Sequence, residues 1–477
     1  MKIHSIILIV ALLSVSCSNS FLDLYPETGL NESNFYQSDE EFVLLVNASY
    51  IPLRNLGKVV NWDVNEVKSD NMTTQALNTN IEQSRSDNFK LSSASIRHES
   101  FWSNSYTGIY NCNIAIQALE SIDHAWSTPN LKNRSLGEVY FLRALYYFDL
   151  VRQFGGVPLV TKEITGQEAV GIKRSPVDAV YAQIVSDLET AIENLGNIGD
   201  TEELGRANVG AAQALLGKVY LTTKNYDAAE QHLLAVIQSG RHGLLSDYAD
   251  VFDPTNKDYY ETLFAIQYAE SAGALANTFI FFNAPATSAG EVTGRPNVAL
   301  PVGSSIRPTP ELLNAFEEGD KRYDVSIGKW VGPDLNGIED EFFYCAKYKG
   351  PQSATLGWSG DNFPVLRYSD VLLMYAEVLN ALNRTADAIP FVEQVRHRAG
   401  LMDDISGLSK AQLTSLIERE RQVEFCFENQ RWHDLLRTER AIEVLRAQGK
   451  DIQPYHLLAP IPAEQELINQ LEPNPGY

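Results

Sequence analysis

Residues 135–156 read SLGEVYFLRALYYFDLVRQFGG, a helical pattern that is apolar almost all round. A helix with one apolar stripe can lie on a surface, but a helix without a polar face has to be enclosed. Whatever this chain folds into must be built around that segment. Ser135 and Glu138 predict a capping box at its start, and Gly155-Gly156 its end. The VPLV that follows is predicted to be extended, because Pro158 forbids more helix. A second helix is predicted over 175–196, with Ser175 as N-cap and Pro176 at the first helical position. Val177, Val180, Tyr181, Ile184, Leu188, Ile192 and Leu195 form its one stripe, and Gly196 can close it.

A repeat lies beyond these helices. Gly217, Tyr220, Ala229, Leu233 and Val236 have a spacing that returns 159 residues later as Ala376, Leu379, Ala388, Val392 and Val395. Small residues where two helices cross, with large ones between, follow tetratricopeptide logic. Residues 101–156 form a looser pair of the same kind. The repeats are too far apart for a simple solenoid, so the helical pairs are expected to form a scaffold around an intervening region. That region, 241–364, is rich in Gly, Pro, Asn, Ser and aromatic residues. Short strands are predicted there at TLFAIQY (262–268) and EFFYCAKY (341–348). Long loops held on a rigid scaffold usually carry binding. The predicted fold class is mostly α, with a loop-rich, short-stranded insertion.

The chain has 477 residues, 44% of them hydrophobic, enough for a large core or two sub-domains. Its net charge of −23 argues against nucleic acid and against docking by charge onto acidic lipids. Lys2 precedes IILIVALLSV, an apolar run of about ten residues, which is too short to span a bilayer and the right length for an export signal. Cys17 follows it, in a pattern that resembles a bacterial lipobox; Ser14 stands where Leu is usual. Cys17 is therefore expected to carry a lipid anchor, and SNSFLDLYPETG to be the tether. The other cysteines, Cys112, Cys345 and Cys426, allow at most one disulfide and lack metal-ligand spacing. Cys112 and Cys426 lie in helical patterns and are expected to be buried thiols. No metal and no cofactor is expected.

Several stretches, taken in order, resemble the SusD/RagB family of outer-membrane nutrient-binding lipoproteins. They are CSNSFLDLYPE after the signal, FWSNSYTGIYNCN (101–113), YFLRALYYFDLVRQFGGVPLV (140–160), LRYSDVLLMYAEVLN (366–380), ERERQVEFCFENQRWHDLLR (418–437) and the ending LAPIPAEQELINQLEPNPGY. The resemblance covers nearly the whole chain. Pro473 departs from it, since Gln usually precedes the final Asn-Pro-Gly-Tyr. The domains it implies are a lipoprotein signal peptide (1–16), a lipidated tether (17–30), an N-terminal helical region of tetratricopeptide type (31–240), the ligand-binding insertion (241–364) and a C-terminal SusD/RagB helical region (365–477). It also implies a protein at the cell outer membrane, facing the exterior, that binds oligosaccharides and passes them to a SusC-like TonB-dependent β-barrel transporter. An oligopeptide ligand, as in RagB-like relatives, is the alternative.

A sugar ring packs its C–H face on an aromatic ring, while its hydroxyls need amides, carboxylates or water. Trp62, Trp330 and Trp358 are the candidate platforms, because each sits among Gly, Pro or polar residues. Asp70 and Asn71 are candidate partners for hydroxyls. Trp102 and Trp432 lie in helical patterns and are expected in the core. A glycoside hydrolase is the least favoured reading. Glu420, Glu424 and Glu428 recur at i,i+4 spacing with His433 and Asp434 close by, but Arg419, Arg421 and Arg431 are interleaved with them. Carboxylates paired with arginines stay ionised, whereas a general acid must hold its proton. The expectation is an ion-pair network with no catalytic residue.

Overall fold

The computed structural model describes residues 36–57, 59–74, 80–196, 205–256, 260–270, 275–279, 283–288, 290–294, 306–334, 336–348 and 359–477. Cys17 and Trp358 lie outside them. The described chain opens with helices α1 (Asp39–Leu56) and α2 (Val59–Val64), a 3-10 turn (Glu66–Lys68), strand β1 (Met72–Thr74) and α3 (Ile81–Asp87). The long helices α4 (Ile96–Ser121) and α5 (Leu131–Phe154) follow, then the single turn α6 (Gly166–Ala169) and α7 (Val177–Gly196). The first repeat is the hairpin of α8 (Val209–Thr222) and α9 (Tyr226–Ser239).

The intervening region contains β2 (Thr262–Ile266), β3 (Ile306–Pro308), α10 (Pro310–Ala315), α11 (Arg322–Ser326), β4 (Ile327–Pro333), β5 (Glu339–Cys345) and β6 (Phe363–Arg367). β6 runs straight into α12 (Tyr368–Ala381), which forms the second repeat with α13 (Thr385–Arg398). Then come α14 (Lys410–Glu424), α15 (Arg431–Arg437), α16 (Ala441–Ala447) and α17 (Ala463–Ile468).

The helix without a polar face is indeed enclosed. Phe141, Leu142, Leu145, Tyr146, Tyr147, Phe148 and Leu150 of α5 are all buried, between α4 on one side and α7 on the other. Its two central tyrosines keep their hydroxyls bonded: Tyr146 donates to the Ser49 carbonyl at 2.8 Å and Tyr147 to the Val160 carbonyl at 2.8 Å. Gly108 of α4 lies so close to the Tyr146 ring that a Cβ there would come within 2.2 Å of Cζ.

The expected capping box is not the start of this helix. α5 begins at Leu131, after Asn130 at φ 59, and Ser135 and Glu138 are interior and buried. Glu138 instead accepts hydrogen bonds from Tyr50 (2.7 Å) and Arg206 (2.9 Å), so tertiary partners claim the side chain that local sequence assigned to a cap. The end at Gly155, φ 72, is where it was expected. α7 opens one residue later than predicted, with the Pro176 carbonyl accepting from Ala179 and Val180.

The two repeats are helical hairpins, and they touch. α9 packs on α12, so elements distant in sequence join one continuous stack that runs α4, α5, α7, α8, α9, α12, α13 and α14. The separation between the repeats is spanned by a chain that leaves and returns across the antiparallel pair β2–β6, with Thr262 opposite Arg367 and Ile266 opposite Phe363. Two further antiparallel pairs, β1–β3 and β4–β5, stand within or beside that excursion. Among the described residues no helix is long and apolar enough to cross a membrane. Cys112, Cys345 and Cys426 are free and buried thiols.

At the crossing of α8 and α9, a Cβ on Gly217 would lie 2.7 Å from Leu233 Cγ and Cδ2. Gly217→Val should therefore destabilise the protein by about 1–3 kcal/mol through overpacking, despite the loss of a helix-weakening glycine. In a Leu233→Ala background most of that penalty should vanish. A double-mutant cycle by chemical denaturation checks this; additive effects would show that the helices do not meet at these residues.

Candidate functional site

The glutamates of the 418–437 stretch are gathered by cations from four other parts of the chain. Glu420 and Glu424 lie at the end of α14, and Glu428 just beyond it. Arg322 reaches Glu420 at 2.6 Å and Glu424 at 3.1 Å. Arg367 binds Glu424 at 2.8 Å, Glu428 at 2.8 and 2.9 Å, and Glu261 at 2.9 Å. Arg398 adds a 2.6 Å contact to Glu424, Arg396 one of 3.1 Å to Glu420, and Lys347 one of 2.8 Å to Glu428. All these side chains are buried.

The network is the one expected, but not its partners. On α14 the interleaved arginines point to other faces: Arg421 pairs with Asp370 (2.8 Å) and Asp434 (2.9 Å), and Arg419 with Glu317 (2.5 Å). Burial pushes the Glu424 carboxyl up, but Arg398, Arg367 and Arg322 more than reverse this and hold it well below the usual carboxylate range. Such a group cannot store a proton for a leaving group. Burial also raises the carboxyls of Glu138, Asp149 and Asp187, each paired with an arginine, and it pushes Asp63 and Glu66 up to about 7 each. Both are fully enclosed, and Glu66 accepts the backbone N–H groups of Phe427 and Asn429.

Three of the expected ligand residues are interior. Trp62 is 3% exposed, stacked at 6.0 Å on Phe279 and also packed on Tyr348 and Phe427. Its rings are thus covered by residues distant in sequence, and it is a core residue like Trp102 and Trp432. Asp70 receives a two-pronged bond from Arg431, 2.7 Å to each oxygen. Asn71 donates to Glu66 at 2.8 Å and accepts from Gln422 at 3.1 Å. These two tie the turn after α2 to the C-terminal helices and are not available to solvent hydroxyls.

Trp330 is different. It lies at the middle of β4 in the alternation Gly328, Trp330, Gly332, which puts all three on one side of the β4–β5 ribbon. Opposite them stand Tyr344, Phe342 and Asp340. The aromatic rings fold over the two bare positions: a Cβ on Gly328 would meet Tyr344 Cζ at 2.2 Å, and one on Gly332 would meet Trp330 Cη2 and Cζ2 at 2.3 Å. Only hydrogen fits beneath each ring, so the rings lie against the strand. Trp330 stands 5.4 Å from Phe342, and its indole N–H donates to Glu291 at 2.8 Å. Trp330 and Tyr344 remain partly exposed, while Phe342 is buried beneath them. The result is an oriented aromatic ledge with a carboxylate at its edge. Tyr344, Phe342 and Glu291 were not singled out from the sequence. The signal was the Gly-x-Trp-x-Gly alternation facing a run of aromatics.

A family model described as "Starch-binding associating with outer membrane" matches residues 20–221, and one described as "SusD family" matches 336–457. SusD-like protein P38 of Formosa agariphila is 28% identical, covering 92% of each chain, and SusD-like protein P25 of the same organism is 26% identical, covering 98% of this chain and 97% of that one. A solved structure described as a laminarin binding SusD-like protein superposes with a TM-score of 0.78 at 26% identity, over 93% of this chain and 100% of that one. B. fragilis NanU gives a TM-score of 0.79 at 22% identity over 95% of this chain and 100% of its own, a likeness of fold.

Replacing Glu424 by Gln removes one charge that three arginines share. Stability should fall by about 3–5 kcal/mol, the usual cost of breaking a buried pair. Because the folded-state carboxyl is held below its ordinary 4.5, the stabilisation it gives is complete above that pH and is lost as the pH falls. The gap between wild type and Glu424→Gln in thermal melts should therefore narrow between neutral pH and pH 3. A gap that is constant over this range would exclude the ionised network as its source.

Proposed function

The chain belongs to the SusD/RagB family, and on that premise we propose that it binds oligosaccharides at the cell surface and passes them to a SusC-like TonB-dependent transporter. The observation that carries the ligand class is Trp330: an indole laid against Gly332, held by Glu291, and partly open to solvent on a ribbon outside the helical stack. A ring fixed in this way loses little freedom on binding, and its face suits the C–H face of a pyranose. The laminarin-binding relative supports a glycan over a peptide. The working site is Trp330 with Tyr344 and Glu291. Trp358, adjacent in the same region of the sequence, is the second platform proposed.

The protein works by binding and does not turn its ligand over. Of the carboxyls that burial raises, Asp63, Glu66, Glu138 and Asp187 are enclosed and the half-buried Asp149 is paired with Arg152, while Glu424 is ionised. Cys17 is proposed as the acylated residue that holds the chain on the outer membrane, with the 241–364 region facing outward.

Two measurements test this reading. Trp330→Ala should weaken oligosaccharide binding by about tenfold, near 1.4 kcal/mol, with a melting temperature close to wild type. Isothermal titration against glycans and oligopeptides decides it: unchanged affinity would move the site off the ribbon, and exclusive peptide binding would replace the ligand class. Cys17→Ala should release a folded protein from the membrane fraction in cells lacking the transporter. Full retention there would exclude Cys17 as the anchor.

A further inference from the structure

The charge around Trp330 narrows the class of saccharide. On the described part of the ribbon, Glu339, Asp340 and Glu341 are exposed, and Asp334 closes the turn at the tip. Asp334 stays ionised, since the backbone N–H of Ile338 and then of Asn336 hold its carboxyl below the usual range. Glu291 stands at the indole edge. Lys329 is the ribbon's one exposed cation among the described residues, and it is engaged by Glu341 at 2.5 Å. Arg307 on the neighbouring β3 is exposed and adds one more. Asp340 shares the Trp330 face, opposite Gly332, with Glu291 at the indole edge, while Glu339 and Glu341 lie on the other face with Lys329; the ribbon and its surroundings thus carry five carboxylates against two cations.

We infer that the ledge takes neutral, hydroxyl-rich saccharides and turns away those bearing uronate or sulfate groups; this rests on the glycan-binding reading of Trp330. Among these carboxylates Glu291 is also the acceptor placed for a sugar hydroxyl. Glu291 uses Oε2 for the indole, which leaves Oε1 to receive an O–H from a ring stacked on Trp330. A sulfate or carboxylate brought to that place would meet Glu291 and Asp340 and find no unpaired cation on the ribbon. The net charge of −23 on the whole chain adds to the repulsion at long range.

The test is an array of neutral oligosaccharides (α- and β-glucans, mannans, xylans, galactans) beside acidic ones (polygalacturonate, alginate, sulfated galactan), probed with the soluble chain in 0.15 M salt. Hits confined to the neutral set, with affinities that do not change between 0.05 and 0.5 M salt, are expected (about a threefold change in Debye length). The variant Glu339→Gln/Asp340→Asn/Glu341→Gln removes three charges that do not bond the indole. It should keep neutral-glycan affinity within about twofold and raise binding of the acidic set by about tenfold at low salt. An acidic glycan that binds the wild type as tightly as the neutral ones overturns the inference and leaves the glycan reading intact. Binding by none of the glycans, with the melting curve unchanged, overturns that reading and the inference with it.

Discussion

Arg367 is the group on which the arrangement of the whole chain turns. It is 1% exposed, sits at the junction of β6 and α12, and bonds Glu261 at the start of β2, Glu424 at the end of α14 and Glu428 after it. One guanidinium therefore closes the neck of the long excursion and fastens it to the C-terminal helices. A buried ion cluster is not in itself a gain in stability over apolar packing. Its effect is on geometry, because a planar five-donor group is satisfied in few arrangements. The ribbon inherits that order. Arg322, just before β4, is bound to Glu420 and Glu424, and Lys347, just after β5, is bound to Glu428. Both roots of the strand pair that carries Trp330 are held by the same three carboxylates.

This division of labour accounts for the chemistry of the molecule. The carboxylates that might suggest hydrolysis are spent as fixed counter-ions in the interior. The groups left on the ribbon are rings, hydroxyls and acids, which suit the proposed recognition of a ligand without proton transfer. On the proposed reading, binding and positioning are separated along the chain: the helical stack supplies rigidity, and the ribbon supplies contact.

Much of the scaffold was legible in the sequence because local rules decide it. The stripe of α7, the Gly155 stop of α5 and the Gly217–Leu233 crossing all depend on residues within a few turns of one another. The repeat itself was readable at a separation of 159 residues, since it rests on spacing alone. What local rules cannot supply is the identity of distant partners. WDVNEVKSDN (62–71) looks like a solvated loop, with Trp62 standing out. It is buried because Phe279, Tyr348, Gln422, Phe427 and Arg431 come to it from elsewhere. Trp330 is the opposite case: its glycine neighbours are local and leave it partly exposed, although the strand that carries it, Ile327–Pro333, was not predicted. The strongest misleading signal was polarity: Asp70, Asn71 and Glu138 each satisfy a buried partner, and burial of a polar residue leaves no mark on its own sequence.

The packing of α9 on α12 has a consequence for how the protein comes into being. The chain is made from its N-terminus, so the face of α9 that α12 will cover is complete well before residue 368 leaves the ribosome. During that interval the first half of the stack is an unfinished surface, and the last contacts close a loop of more than one hundred residues. Contacts of such sequence separation slow folding and leave apolar surface open to aggregation. On the proposed outer-membrane location, delay is an advantage: a stack that cannot close until its second half is present stays threadable for as long as export requires.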